Sequence, residues 1–100
     1  MRIRVERRGS TAHVGLEGKF DFSCRQKVRN VRDELIALDW VREIAFDMNG
    51  VTHIDSAALG MLMLVREAAD LSQKRLSFEC EGGRVREILE VARLMAVPVE

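Results

Sequence analysis

Along this chain of 100 residues the apolar side chains change their spacing from two to three or four and back, and that alternation decides most of what it can fold into. A period of two puts alternate residues on one face of a strand, whereas a period of 3.6 stripes one side of a helix. Ile3 and Val5 alternate with Arg2, Arg4 and Glu6. After Gly9-Ser10, the residues Ala12, Val14 and Leu16 resume the same beat, which predicts a hairpin whose second strand ends at Gly18. Beyond a loop holding Asp21, the residues Cys24, Val28, Val31, Leu35 and Leu38 recur at steps of four, three, four and three. That stripe predicts a helix, with Ser23 placed to cap its free amides and Gln26 to complete a capping box.

Val41 to Met48 is almost continuously apolar, as in a strand buried on both faces, so it belongs at the centre of a sheet. Asn49-Gly50 predicts a turn, Ile54 precedes Asp55-Ser56, and Ala57 to about Leu71 is helical again. Leu76 and Phe78 alternate with Arg75, Ser77 and Glu79 in a further strand. Gly82-Gly83 breaks it, Val85, Ile88, Leu89 and Ala92 stripe a last helix, and Pro98 stops whatever follows Met95. The expected fold is α/β: one domain over residues 1–100, a mixed sheet of about four strands with an antiparallel opening hairpin, and about three helices packed on it.

Charge and cysteine usage narrow the function. Sixteen basic residues balance sixteen acidic ones, so no overall field holds nucleic acid or an anionic membrane. Arg2, Arg4, Arg7 and Arg8 are candidates for a local basic patch, but Arg2 and Arg4 alternate with Ile3 and Val5 and read as the wet face of a strand. Cys24 and Cys80 lie in unlike settings without a CxxC partner or metal-spaced histidine, and read as two buried thiols. Met1-Arg2-Ile3-Arg4 lacks the apolar core of a signal peptide, and the longest apolar run, Ala57 to Val65, is too short to span a bilayer. A cytoplasmic protein without membrane insertion is expected.

Reactive groups are scarce. His13 sits within a strand. His53 lies three residues before Ser56, yet no G-x-S-x-G elbow surrounds that serine. Asp21, Asp47 and Asp55 could meet at strand ends around a magnesium ion, but scattered carboxylates are the commoner arrangement. Gly82-Gly83 lacks the frame of a phosphate-binding loop. Neither catalysis, a metal nor a cofactor is implied.

What remains is the stretch from Asp47 to Gly60, where a buried strand leads to Asp55-Ser56 at a helix entrance. In the simplest reading these two residues cap the helix. The helix that follows, however, is too apolar for one buried face. Ala58, Met61, Leu62, Val65, Ala68 and Ala69 can cover the sheet, leaving Leu59, Gly60 and Met63 on the side of Ser56 as a docking patch.

The block Val51-Thr-His-Ile-Asp-Ser-Ala-Ala-Leu-Gly60 resembles the signature of STAS domains, in particular of bacterial anti-sigma factor antagonists, usually written Asp-Ser-Ser-Gly-Leu-Gly. Leu16-Glu-Gly-Lys-Phe-Asp21 is similar to a second family segment, commonly Gly-Glu-Leu-Asp. The resemblance implies a STAS-like fold and a partner-switching role. Ser56 matches the serine phosphorylated by an anti-sigma factor kinase of GHKL type, and a PP2C-type phosphatase resets the cycle. Asp21 and Asp55 match acidic positions at the partner surface. Ala57-Ala58 in place of Ser-Gly and Lys19 in place of an acid depart from the family pattern, and the latter bears on which kinase is recognised. The same family also implies an alternative, an accessory subunit of a transporter ATPase or another signalling assembly, and a basal nucleotide-binding role as a third.

Overall fold

The computed structural model describes residues 1–95, so Pro98 lies outside the described residues. The elements are β1 (Arg2–Arg8), β2 (Thr11–Phe20), a 3-10 turn (Phe22–Cys24), α1 (Arg25–Ala37), β3 (Glu43–Ile54), α2 (Ser56–Leu71), β4 (Arg75–Glu79) and α3 (Gly83–Val91). The strands lie in the order β1-β2-β3-β4. β1 runs antiparallel to β2, while β2–β3 and β3–β4 are parallel, as the helical crossovers require. This is the α/β mixed sheet expected from the spacing, with β3 inside it.

Register explains why the two faces differ. Val5, Val14, Phe46 and Phe78 pair in one row across all four strands. Val14 and Phe46 are buried, and the Phe46 and Phe78 rings stack with centroids 5.6 Å apart. The next row is Arg4, Gly15, Asp47 and Glu79, which points the other way. The first face joins Val28 and Leu35 of α1, Ala58, Leu62 and Val65 of α2, and Leu89 of α3 in one core. Each such aliphatic side chain contributes about 1.5–3 kcal/mol when fully buried. The second face is polar and carries Arg2 and Arg4 in ion pairs with Glu17, so these two arginines are a solvated strand face, whereas Arg7 lies on the helix side with its guanidinium 4.3 Å over the Trp40 ring.

Three local expectations are corrected. β2 does not end at Gly18 but continues to Phe20 through an irregularity at Gly18, whose φ of +99° favours glycine. Asn49-Gly50 is not a turn: β3 runs through it to Ile54. Two steps on β2, from Gly15 to Glu17, oppose three steps on β3, from Asp47 to Gly50, so the surplus is absorbed as a bulge. Asn49 is fixed there by donating to Asp47 Oδ1, while its own Oδ1 accepts the Glu81 amide at 2.8 Å. Gly50 passes so close to β2 that a Cβ would sit 2.8 Å from the Leu16 carbonyl oxygen.

The third correction concerns the first helix. Ser23 does not cap it, and Gln26 does not complete a capping box. Asp21 caps the preceding 3-10 turn instead, accepting the Ser23 amide at 2.9 Å, and α1 starts only at Arg25. Ser23 donates its hydroxyl to the same carboxylate oxygen, a charge-assisted bond that turns it away from the helix amides. Gln26 turns along the helix and donates to Asn30 Oδ1 at 3.0 Å.

Candidate functional site at the strand ends

Phe20 and Ile54 are paired in register as the last residues of adjacent parallel strands. The residues after them, Asp21 and Asp55, therefore emerge side by side at one edge of the sheet. The carboxyl ends of parallel strands are where open α/β sheets place their working groups. Both carboxylates are engaged locally. Asp55 accepts the Ala58 amide at 2.8 Å and so closes the first turn of α2, while Asp21 holds the 3-10 turn. The capping role first read for Asp55 is thus real.

Asp21 is held below the usual carboxylate pKa of 3.8, chiefly by the Ser23 hydroxyl, then by the Ser23 amide and the nearby charges of Lys19 and His53. A negative charge persists at this edge well into the acid range. Ser56, the first residue of α2, is exposed, and its hydroxyl makes no hydrogen bond among the described residues. Positive partial charge at the helix N-terminus and the Asp55 and Asp21 carboxylates on this edge set the local field.

The three residues expected beside Ser56 are spread across the crest of α2. Met63 is 44% exposed and points outward. Leu59 is half-buried, packs against the core, and turns towards α3, where it lines a groove of about 410 Å³ with Ile88, Val91 and Ala92. Gly60 opens on the opposite flank, towards α1. Of the face set aside for the sheet, Ala58, Leu62, Val65 and Ala69 are buried, while Met61 and Ala68 are only partly so.

Apolar residues that sequence reasoning missed enlarge this surface. Leu64 is 55% exposed, Leu71 81% and Phe22 59%. The signal was present: Gly60, Leu64 and Leu71 recur at four and seven, and Phe22 is an aromatic residue next to an expected site residue. The competing constellations do not assemble. Asp47 lies on the polar sheet face near Arg4, His13 and Glu79, away from Asp21 and Asp55. No hydrogen bond joins His53 to Ser56 among the described residues, and those residues contain no group of three or more His, Cys, Asp or Glu placed to hold a metal ion. Cys24 and Cys80 are free and buried. No helix among the described residues is long and apolar enough to cross a membrane.

Known proteins share this fold. A family model described as Mlab, STAS domain, matches residues 3–98. A STAS-domain containing protein of Pseudomonas aeruginosa (strain UCBPP-PA14) is 30% identical over 84 residues, 84% of this chain and 81% of the relative. Among solved structures, an anti-sigma factor antagonist from Mycobacterium paratuberculosis superposes with a TM-score of 0.80 at 17% identity, covering 93% of this chain and 78% of the other. The anti-sigma factor antagonist SpoIIAA in its unphosphorylated form gives 0.73 at 16% identity, over 89% and 82%. Its phosphorylated form from Bacillus gives 0.72 at 15%, over 93% and 85%.

Proposed function

The chain belongs to the STAS domain family described as Mlab, and on that premise we propose that it is a non-enzymatic, cytoplasmic anti-sigma factor antagonist switched at Ser56. Unphosphorylated, it binds an anti-sigma factor that is also a serine kinase of GHKL type. Phosphorylation of Ser56 releases it, and a PP2C-type phosphatase restores it. The observation that carries this reading is the exposed Ser56, next to Asp55 on the edge that Asp21 shares, at the head of a helix that exposes Met63 and Leu64. Asp21, Asp55, Ser56, Leu59, Gly60 and Met63 form the contact surface.

The physics of the switch is electrostatic. A phosphate brings close to two negative charges to an edge that already holds two carboxylates. Enclosing such mismatched charge in an interface costs roughly 2–5 kcal/mol, a loss of at least about 25-fold in affinity. The fold tolerates the change, because a helix N-terminus favours an anion by about 0.3–1 kcal/mol. Mixing wild type, Ser56→Ala and Ser56→Asp with the candidate kinase and ATP tests it. Ser56→Ala should bind without being phosphorylated, and Ser56→Asp should bind weakly. Phosphate still entering Ser56→Ala at one dominant site, or tight binding by Ser56→Asp, places the switch elsewhere.

A second reading is an accessory subunit of a transporter ATPase. It is favoured by exposed apolar side chains that recur along α2 as far as Leu71, well beyond the serine's surroundings although Glu67 and Asp70 interrupt them. A stable complex with a transporter ATPase that survives Ser56→Asp would select this reading over the switch.

A further inference from the structure

We propose that the channel between α1 and α2 receives an amphipathic helix of a partner protein whose polar flank is acidic. The channel holds about 530 Å³. Ala57, Gly60, Met61 and Leu64 form its wall on α2, at steps of three, one and three that keep them on one side of that helix. From Ala57 to Val65, α2 carries no polar side chain, and a helical stretch apolar on all sides is normally enclosed on all sides. Here Leu62 is fully buried beneath while Leu64 stands open. At Gly60 an added Cβ would meet nothing within 4 Å, so a neighbouring backbone can approach closely there.

The opposite wall identifies the occupant. Arg25, Arg29 and Arg32 line it at steps of four and three, a row of roughly 10 Å along α1 at 1.5 Å per residue. Among the described residues, no carboxylate lines the channel. The Arg25 guanidinium lies 4.3 Å over the Phe22 ring, which holds it at the mouth. Arg32 is answered by Asp33 at 2.9 Å, whereas Arg29 makes no ion pair among the described residues. Since the whole chain is neutral, this accumulation is local and not a consequence of bulk charge.

An apolar ridge flanked by acids at the same three- and four-residue spacing satisfies both walls, in the helix-in-groove mode of recognition. The concave shape suits a helix better than a flat bilayer. Two copies docked symmetrically through this channel would bring arginine rows together, which disfavours self-association. The proposal adds an occupant to one flank of the surface described above and rests on the channel alone, needing no phosphate on Ser56.

The test uses two displayed libraries of helical peptides, randomised at the apolar positions, with the flanking row fixed as Glu in one and Lys in the other. Binders to the unmodified full chain should come from the Glu library. Arg29→Glu should weaken them about tenfold, equivalent to about 1.4 kcal/mol. Gly60→Leu, which fills the channel from a position with free space, should abolish binding while the circular dichroism and thermal melt remain those of a folded protein. Equal yield from both libraries, or binders indifferent to Gly60→Leu, would overturn the proposal. So would a dimer by light scattering that Gly60→Leu disperses, or co-sedimentation with phosphatidylglycerol vesicles lost on Arg29→Glu. Because the probe is a peptide and the protein unmodified, failure here leaves the Ser56 switch standing, and failure of the switch leaves the channel.

Discussion

Asp55 closes the first turn of α2 through the Ala58 amide, so its hydrogen bond and its charge can be separated by substitution. Asp55→Ala should lose about 0.5–2 kcal/mol of stability in urea denaturation, whereas Asp55→Asn, itself a good cap, should lose only a few tenths. If the carboxylate serves partner recognition, Asp55→Asn will weaken the complex while leaving the fold intact. Asp21 offers a pH test. Its folded pKa is depressed, so its contribution to stability is present above the usual 3.8 and is lost as the pH falls through the lowered folded value. Ser23→Ala removes the main cause, and an NMR titration should then show the Asp21 carboxyl moving up towards its usual value. Two glycines give opposite expectations. Gly60→Ala should stabilise by up to about 1 kcal/mol, since the position is helical and unobstructed. Gly50→Ala should destabilise by about 1–3 kcal/mol, because its methyl group would press on the Leu16 carbonyl.

Among the elements, α2 carries the sharpest contrast between its two sides. Leu62 has no solvent exposure, so Leu62→Ala should cost about 2–5 kcal/mol in urea denaturation. Leu64→Ala and Leu71→Ala, two and nine residues further on, should each change stability by no more than about 0.5 kcal/mol, since both side chains are exposed. An unchanged fold with a weakened partner complex would mark those two leucines as contact residues. β3 serves the site differently. Its bulges let a long strand, Glu43–Ile54, deliver Asp55 level with Asp21 although β2 is shorter. Lys74 braces the far end, donating from Nζ to the carbonyls of Leu38 and Val41 at 2.8 Å each.

Taken as a whole, the molecule is two-sided. The helices and the apolar face of the sheet enclose the core, and the opposite face is a row of charges with Asp47 and Glu79 near Arg4 and His13. Partner contacts should therefore be confined to the helical side and the strand-end edge. Hydrogen exchange of a complex should protect the 3-10 turn and the outer face of α2 and leave β1 unchanged. Protection centred on the Arg4–Asp47 row would reverse the orientation. Exposed ion pairs such as Arg4 with Glu17, 3.2 Å apart, add about 0–1 kcal/mol each, so Arg4→Gln should alter neither stability nor binding appreciably.

Periodicity along the chain carried the element order, the antiparallel hairpin and the interior place of β3, because burial on one or two faces leaves its period in the residues themselves. The adjacency of Asp55-Ser56 to a helix start was equally legible, for a cap acts over a few neighbouring residues. Tertiary structure decided the rest. Asn49-Gly50 favours a turn in isolation, but pairing with β2 and the Glu81 amide hold it in a bulged strand. Ser23 is a good cap in isolation, but at the chain's exit from β2 the Asp21 carboxylate takes both its amide and its hydroxyl, in a 3-10 turn that precedes the helix. The channel is the clearest case: its arginines and its apolar wall lie on helices separated by a strand, and only their packing against one sheet face sets them opposite each other.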